Sequence, residues 1–278
     1  MTTPRASTAV PAGTAGTVST VRSYLRASTM PHVLCPGCAH GIVLRCLIEA
    51  LASLRVPRDR LAVVAGIGCS SRLAGHVDAC TLHTTHGRAP AFATGIKLAR
   101  PELTVVVLSG DGDGLAIGGN HLIHAARRDI DLTMLLFNNA IYGMTGGQLA
   151  PTTAPGSVTS TTRAGSSERP FDACKLAEAA GASFVARASA YTAPVLTQII
   201  AAGIAHRGFS FIDVISDCPV YQGRYNSLGD GPEMLAGLPR RDAAIDTALA
   251  SKRVLSFIED GRRPDPALPT GILHRDER

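Results

Sequence analysis

Four stretches of the chain consist almost entirely of apolar residues: LAVVAGI (61–67), LTVVVLS (103–109), DLTMLLF (131–137) and FSFIDVI (209–215). Strands that are buried on both faces of a parallel sheet have this pattern, whereas half-exposed strands alternate apolar with polar residues. Residues 182–188 are a further strand candidate, and apolar residues recur at helical spacing in 39–54, 89–100, 119–128, 173–181 and 193–206. This alternation predicts an α/β fold with a doubly wound, mostly parallel sheet.

Each of the four apolar stretches leads into a polar turn that contains glycine or cysteine. The turns are GCSSR (68–72), GDGDG (110–114), NNAIYGMTGG (138–147) and SDCPVYQGR (216–224). In an open α/β sheet, the carboxyl ends of the strands line a crevice in which ligands bind. We therefore expect the four turns to share one site.

The GDGDG turn carries two carboxylates, and Asn139 lies 28 positions after the first of them, Asp111. One βαβ step separates the two residues, so both side chains can face one cation from adjacent strand ends. Their oxygens suit Mg²⁺, with the Ile141 carbonyl, diphosphate oxygens and water as further ligands. The alternative is a tight turn in which Asp113 caps the next helix. GDG followed by NN at this spacing resembles the diphosphate–Mg²⁺ motif of thiamine diphosphate enzymes.

The seven cysteines are a second source of candidate chemistry. The CPGC segment at 35–38 suits a redox pair, half of a zinc site or half of an iron–sulfur site. Cys69 and Cys218 lie in strand-end turns, so four thiolates could converge on the same rim, and their number fits either zinc or a [4Fe-4S] cluster. Cys46, on an apolar helical face, and Cys174, at a helix start, are expected to be buried and inert.

Composition narrows the class of protein. The chain has 278 residues, is 45% hydrophobic and has a mean hydropathy of +0.16, which suits one large α/β domain with additional segments. No apolar run approaches the ~20 residues of a membrane span. The net charge of +5 comes from scattered Lys and Arg, which does not predict nucleic-acid binding. The N-terminal sequence lacks the apolar core of a secretory signal, which predicts a cytoplasmic protein.

Four segments together resemble the β subunits of 2-oxoacid:ferredoxin oxidoreductases, and among these the 2-oxoglutarate:ferredoxin oxidoreductases most closely. They are CPGCAHGI, GIGCSSR, DCPVYQGRYN and the long block from HTTHGRAP to GQLAPTT. The resemblance covers about residues 30–226 and implies a thiamine diphosphate-binding fold. It implies a [4Fe-4S] cluster on Cys35, Cys38, Cys69 and Cys218, and Mg²⁺ held by Asp111, Asn139 and the Ile141 carbonyl.

The same resemblance implies a reaction and its partners. The family oxidatively decarboxylates a 2-oxoacid with coenzyme A, which for 2-oxoglutarate gives succinyl-CoA and CO₂, and the electrons pass through the cluster to ferredoxin. The β subunit works with an α subunit, as αβ or (αβ)₂, which contributes the glutamate that activates the cofactor. This chain shows no convincing equivalent of that glutamate, which fits one half of an enzyme. No membrane or nucleic-acid partner is expected.

Candidate site residues follow from the turns and from the resemblance. Residues expected to bind or border the thiamine cofactor are Ile67, Gly68, Cys69, Ser70, His86, Gly87, Gly110, Asp111, Gly112, Asp113, Asn139, Ile141, Gly143, Met144 and Thr145. His86 and Arg72 are the candidate catalytic residues. Arg72 follows the cluster cysteine in GCSSR, and its guanidinium can bind the distal carboxylate of a substrate in a bidentate way. The alternative is that Arg72 pairs with a neighbouring acid or with the other subunit.

The sequence divides into three expected segments, and it leaves several alternative functions open. We expect an N-terminal arm at 1–28, an α/β domain that binds thiamine diphosphate and the cluster at 29–226, and a C-terminal extension at 227–278 that is exposed or contacts a partner. One alternative function is specificity for pyruvate or another 2-oxoacid. Others are a non-redox thiamine diphosphate decarboxylase or synthase subunit, and a zinc-stapled scaffold protein. Iron with acid-labile sulfide supports the redox function, and zinc supports the scaffold.

Overall fold

A computed structural model describes residues 21–239 and 271–276. Its sheet has seven strands: β1 (Leu61–Ala65), β2 (Cys80–His83), β3 (Thr104–Gly110), β4 (Leu132–Asn138), β5 (Phe184–Ser189), β6 (Phe209–Ile215) and β7 (Gly271–Arg275). The α-helices of the described residues are α1 (His40–Ser53), α2 (Ala89–Ala99), α3 (Gly119–Arg127), α4 (Ala173–Ala179), α5 (Ala193–Ala205) and α6 (Gly231–Ala236). Shorter 3₁₀ and π turns fill several of the connections that follow strands, including Ser70–His76, Gly112–Ile117 and Pro219–Gly223.

The strands lie in the order β2-β1-β3-β4-β6-β5-β7. The first six pair in parallel, and β7 pairs antiparallel to β5 at the edge. The chain runs from β1 outward to β2 and then returns to the other side of β1 for β3. Because the winding direction reverses there, the loops after β1 and β3 diverge and open a crevice at their carboxyl ends.

Two apolar cores lie on opposite faces of the sheet, as the continuous apolar strands predict. One packs β-strand side chains such as Val63 and Val106 against α1 and α5. The other packs the alternate side chains, such as Val64 and Val107, against α2, α3 and α4. The predicted α/β fold with a doubly wound, mostly parallel sheet is therefore confirmed.

The two edge strands were not predicted. Only Thr81 of β2 is partly buried and the rest of that strand is exposed, so its CTLH sequence has no apolar pattern. Strand β7 buries Gly271, Ile272 and Leu273 against the sheet. The predicted C-terminal extension is thus not exposed at residues 271–273, where a short apolar run completes the sheet edge, and its contact with a partner stays a prediction.

The predicted N-terminal arm overlaps with the packed body of the protein. Tyr24 is buried and its hydroxyl donates a hydrogen bond to the Val56 carbonyl, and Leu25 forms an isolated bridge to Val77. The rest of the arm, residues 1–20, lies outside the described residues, as does most of the C-terminal extension, residues 240–270. The proposed domain boundaries thus stay predictions.

Candidate cofactor-binding site

A cavity of about 360 Å³ lies at the carboxyl ends of β1, β3 and β4, where the crevice was expected. Apart from Gly87, all the residues predicted to bind the thiamine cofactor line it, namely Ile67, Gly68, Cys69, Ser70, His86, Gly110, Asp111, Gly112, Asp113, Asn139, Ile141, Gly143, Met144 and Thr145. The lining residues that sequence reasoning missed are His40, Phe137, Tyr142 and Gln148. Phe137, Tyr142 and Gln148 lie in the resembled block and His40 lies in CPGCAHGI, so position within the resembled segments could have indicated all four.

Asp111 is a buried carboxylate that hydrogen bonds hold at the cavity. Its Oδ1 accepts from the Gly112 N–H (2.8 Å) and its Oδ2 accepts from Thr152 Oγ1 (2.7 Å). Burial nevertheless dominates and raises the pKa of Asp111 to about 6. A divalent cation would offset this desolvation and favour the ionised carboxylate.

Asn139 and Ile141 are held side by side by an unusual turn. Ala140 between them has a φ of 59°, a left-handed conformation that alanine rarely adopts. The Thr153 hydroxyl donates to the Ala140 carbonyl (2.7 Å), and the Ile141 N–H donates to Asn139 Oδ1 (3.3 Å). Such strain costs about 1–3 kcal/mol and persists only where surrounding contacts enforce it.

The first asparagine of the NN pair has a different role from the second. Asn138 Nδ2 donates to Asp213 Oδ1 (3.1 Å), and Asp213 forms a buried ion pair with Arg187 (2.8 Å). Arg187 also pairs with Asp172, the N-cap of α4 (2.6 Å). This network anchors the end of β4 beneath the cavity, so Asn138 supports the turn and Asn139 faces the site.

The donors around the cavity fit a diphosphate with a divalent cation. Ser70 is buried, and its Oγ has no hydrogen-bond partner within the described residues. Ser70 Oγ lies 3.4 Å from the position that a Cβ on Gly110 would occupy. An unsatisfied hydroxyl beside glycine backbone can donate to a phosphate oxygen, and the carboxylate and amide oxygens of Asp111 and Asn139 are ligands that Mg²⁺ prefers.

Gly112 is required by a neighbouring ring. A Cβ at this position would lie 2.2 Å from the Tyr142 ring, and the Tyr142 hydroxyl donates to the Gly112 carbonyl (3.0 Å). The Tyr142 ring centroid is 6.1 Å from that of His86. The second glycine of GDG thus allows the turn after β4 to pack directly on the turn after β3.

Asp113 joins three loops and lies beside His86. Its Oδ1 accepts from the Gly87 N–H (2.7 Å) and the Ile67 N–H (3.2 Å), and its Oδ2 accepts from the Ser109 hydroxyl. His86 Nδ1 lies 2.9 Å from Asp113 Oδ1, at ion-pair distance but without hydrogen-bond geometry. The alternative role of Asp113 as a helix cap is wrong, because Asp111 is the N-cap of Gly112–Ile117 and Gly118 that of α3.

Four thiols lie together on one side of the cavity. A Cβ on Gly143 would lie 3.4 Å from Cys218 Sγ and 3.5 Å from Cys69 Sγ, so both sulfurs lie beside this glycine. The Cys69 thiol is close enough to Cys35 and Cys218 for the charges to interact, and Cys38 interacts with Cys69 and Cys218 in the same way. The three segments that carry these cysteines therefore converge, as predicted.

Burial and mutual proximity disfavour the charged form of the thiols. Burial raises the pKa of Cys38 to about 12 and that of Cys69 to about 11, and the neighbouring thiols raise both values further. Burial also raises the pKa of Cys218, and hydrogen bonds from the backbone N–H groups that follow it partly oppose this rise. Four thiolates can therefore coexist only around metal. Among the described residues, no three His, Cys, Asp or Glu side chains are placed to hold a single metal ion.

The remaining candidates lie outside the cavity. Arg72 is exposed in the Ser70–His76 turn, where its charge lowers the pKa of Cys69, and it does not line the cavity. Cys46 and Cys174 are buried, as expected, with their thiols at the carbonyls of Ala193 and Ala186. Thr152, which binds Asp111, was not predicted, although it lies within the resembled block.

Comparison with known proteins identifies the class and then the family. The model of the thiamine pyrophosphate enzyme C-terminal TPP-binding domain matches residues 66–214. The fold and the cavity therefore define a thiamine diphosphate-binding domain. Within that class, the chain belongs to the family of 2-oxoacid:ferredoxin oxidoreductase β subunits, which confirms the predicted family and enzyme class.

Individual relatives agree with this assignment. The 2-oxoglutarate synthase subunit KorB of Methanothermobacter marburgensis is 53% identical over 249 residues, which cover 87% of each chain. The 2-oxoglutarate oxidoreductase subunit KorB of Mycobacterium tuberculosis is 46% identical over 195 residues, 70% of this chain and 52% of that one. A structure of 2-oxoglutarate:ferredoxin oxidoreductase from Magnetococcus marinus has a TM-score of 0.75 and 33% identity, and the match covers 93% and 85% of the two chains.

No helix of the described residues is both long and apolar enough to cross a lipid bilayer.

Proposed function

We propose that this chain is the β subunit of a 2-oxoglutarate:ferredoxin oxidoreductase. The enzyme converts 2-oxoglutarate and coenzyme A to succinyl-CoA and CO₂, with ferredoxin as the electron acceptor and an α subunit as the partner chain. Relatives named 2-oxoglutarate synthase subunit KorB support the substrate, and the matched structure holds 2-oxoglutarate, coenzyme A and succinyl-CoA. We place the enzyme in the cytoplasm, because its cysteines form no disulfide in the described residues and reducing compartments preserve thiols.

One observation supports this function above the others. The turn after β4 carries Asn139 and Ile141 at the cavity, and two residues later Gly143 lies beside the sulfurs of Cys69 and Cys218. A single short turn therefore borders both candidate cofactor sites. A redox enzyme needs this proximity because electrons must pass from the substrate to an acceptor, whereas a scaffold or a non-redox decarboxylase does not.

The chain's own residues divide the work of binding. Asp111, Asn139 and the Ile141 carbonyl would hold Mg²⁺, and Ser70 Oγ would donate to the diphosphate. Thiamine diphosphate, when bound, supplies the electron sink that decarboxylation of a 2-oxoacid requires. Cys35, Cys38, Cys69 and Cys218 would hold a [4Fe-4S] cluster, whose chemistry is one-electron transfer.

His86 is the proposed proton-handling residue of this chain. Its Nδ1 lies 2.9 Å from Asp113 Oδ1, so Nε2 is the nitrogen left for a ligand in the cavity. Imidazole is the side chain that enzymes use most often for proton transfer. His86 can therefore donate to the cofactor or substrate and accept a proton back.

Arg72 is the proposed contact for the distal carboxylate of 2-oxoglutarate. It forms no ion pair with another described residue, so its guanidinium is free for a ligand or for the α subunit. Because it lies outside the cavity lining, we expect the α subunit to complete the pocket wall between Arg72 and the cavity.

The direct test is to purify the chain with its α subunit under anaerobic conditions. We expect iron and acid-labile sulfide in the complex, bound thiamine diphosphate, and ferredoxin reduction that depends on both 2-oxoglutarate and coenzyme A. Zinc in place of iron would support the scaffold alternative. Decarboxylation that proceeds without any electron acceptor would support a non-redox enzyme, and a preference for pyruvate would change the substrate alone.

A further inference from the structure

Asp217 is a buried carboxylate that lies between two of the cysteine-bearing segments. It directly precedes Cys218, and its Oδ1 accepts a hydrogen bond from the Ala39 N–H (2.8 Å). Ala39 directly follows Cys38. Ala39 and Asp217 are 178 positions apart in the chain. One hydrogen bond thus ties the CPGC segment to the segment after β6.

The residue before Asp217 extends the connection toward the cavity. The Ser216 N–H donates to the Asn138 carbonyl (2.8 Å), at the end of β4 and next to Asn139. Ser216 Oγ also lies 3.4 Å from His40 Nε2, at the start of α1. The Ser216–Asp217 pair therefore contacts both the thiol segments and the turn that borders the diphosphate side.

The second oxygen of Asp217 has no structural use. Asp217 is only 2% exposed, and its buried Oδ2 has no hydrogen-bond partner within the described residues. A buried, unsatisfied carboxylate oxygen costs free energy. An asparagine could accept the same hydrogen bond from Ala39 without a charge, so the hydrogen bond alone does not account for an acid here.

We propose that Asp217 is a positioning residue of the iron–sulfur site. Asp217 joins the segments of Cys38 and Cys218, and its negative charge lowers the reduction potential of the cluster. The inference rests on the proposed function, since it requires the cluster. A nearby negative charge opposes the addition of an electron, and hydrogen bonds and charges around a cluster are known to set its potential. Cys38 lies within electrostatic reach of Asp217.

Asp217→Asn, made in the complete complex with the α subunit, separates the two parts of this role. The amide keeps the acceptor for the Ala39 N–H and removes the charge. We expect wild-type iron and sulfide content, a preserved electron paramagnetic resonance signal of the reduced cluster, and a midpoint potential shifted to less negative values. Asp217→Ala removes the hydrogen bond as well, so we expect it to lose iron in addition.

Glu49→Gln is a matched control, because it removes one negative charge from the distal part of α1, where Glu49 pairs with Arg45. Its potential should equal that of the wild type. An unchanged potential in Asp217→Asn, or loss of the cluster from that variant, overturns the proposal. A wild-type complex that contains no iron would instead overturn the proposed function itself.

Discussion

The diphosphate side and the thiol side of the cavity are built in opposite ways. On the diphosphate side, Asp111 and Asn139 already accept hydrogen bonds from neighbouring groups, and the strained Ala140 is held by Thr153. On the thiol side, four cysteines come from three distant segments, and burial, followed by the neighbouring thiols, raises the pKa values of Cys38 and Cys69.

The difference indicates which site is preorganised and which depends on its metal. Oxygen ligands that are fixed by the fold can exchange Mg²⁺ and thiamine diphosphate without large changes in structure. Thiols that repel one another as thiolates need the iron to hold them, so the binding of the cluster contributes to folding. Loss of iron should therefore destabilise the protein more than loss of Mg²⁺.

Removal of Asp111, the proposed Mg²⁺ ligand, should have the largest effect on activity. In Asp111→Ala, the diphosphate would face backbone dipoles with no cation to neutralise it, so we expect loss of bound thiamine diphosphate and at least a ~100-fold fall in activity. The cofactor content of the purified complex measures the first effect. Iron content should remain near that of the wild type, because the thiol side does not use Asp111. Full cofactor occupancy would show that Asp111 does not hold the metal.

Cysteine substitutions sharpen the comparison from the thiol side. Cys218→Ser should lose iron and lower the thermal midpoint, because serine is a poor cluster ligand. Cys46→Ser is the matched control: its thiol is buried at the Ala193 carbonyl, so we expect only a modest loss of stability, about 1–2 kcal/mol, with iron retained. Iron analysis and thermal unfolding report both effects. A Cys218→Ser complex with full iron would remove this residue from the ligand set.

Much of this comparison could be predicted from the sequence, and the reasons are physical. Strands such as 103–109 are buried on both faces, so their composition alone identifies them, and the rule for parallel sheets places their carboxyl ends at one site. The edge strands β2 and β7 lack that signal.

The supporting contacts were not predictable in the same way. Thr152 and Tyr142 contact the GDG turn from 41 and 30 positions away, and no local pattern encodes such distances. The distinct roles of Asn138 and Asn139 likewise depend on Asp213, which belongs to another strand.

Substrate selection is expected to be the next largest effect. Arg72→Ala should raise the KM for 2-oxoglutarate and lower its kcat/KM roughly 10- to 100-fold, because a charge-assisted contact is worth about 1.5–3 kcal/mol. Pyruvate, which has no distal carboxylate, should be little affected. Steady-state kinetics on both substrates show whether Arg72 acts on 2-oxoglutarate selectively. An equal fall for both substrates would mean that Arg72, which lies beside Cys69, acts on the cluster or the fold.

A smaller effect tests the preorganisation of the diphosphate side. Thr152→Val removes the hydroxyl that donates to Asp111 Oδ2, and loss of a residue that orients a metal ligand typically costs about 10- to 100-fold in metal affinity. We expect the lower end of that range in the Mg²⁺ dependence of cofactor binding. Thr94→Val, which loses a bond to the Pro90 carbonyl within α2, should leave that dependence unchanged. Equal affinities in both variants would show that Thr152 does not orient Asp111.

The smallest expected effect is on pH dependence. Asp111 must lose its proton to bind Mg²⁺, and burial raises its pKa to about 6. The affinity for Mg²⁺ with thiamine diphosphate should therefore weaken as the pH falls through about 6, and level off above it. Calorimetric titration across pH 5 to 8 measures this change. An affinity that is constant over that range would contradict the assigned role of a buried carboxylate.

The central claim is that the turn from Asn139 to Gly143 brings the two cofactor sites together so that substrate electrons reach the cluster. Rapid-freeze electron paramagnetic resonance tests it directly, on the anaerobic complex mixed with 2-oxoglutarate and coenzyme A. We predict that the signal of the reduced cluster appears in the wild type. In Asp111→Ala, the substrate should give no signal while dithionite still produces it. A cluster that 2-oxoglutarate reduces in that variant, or fails to reduce in the wild type, would contradict the account.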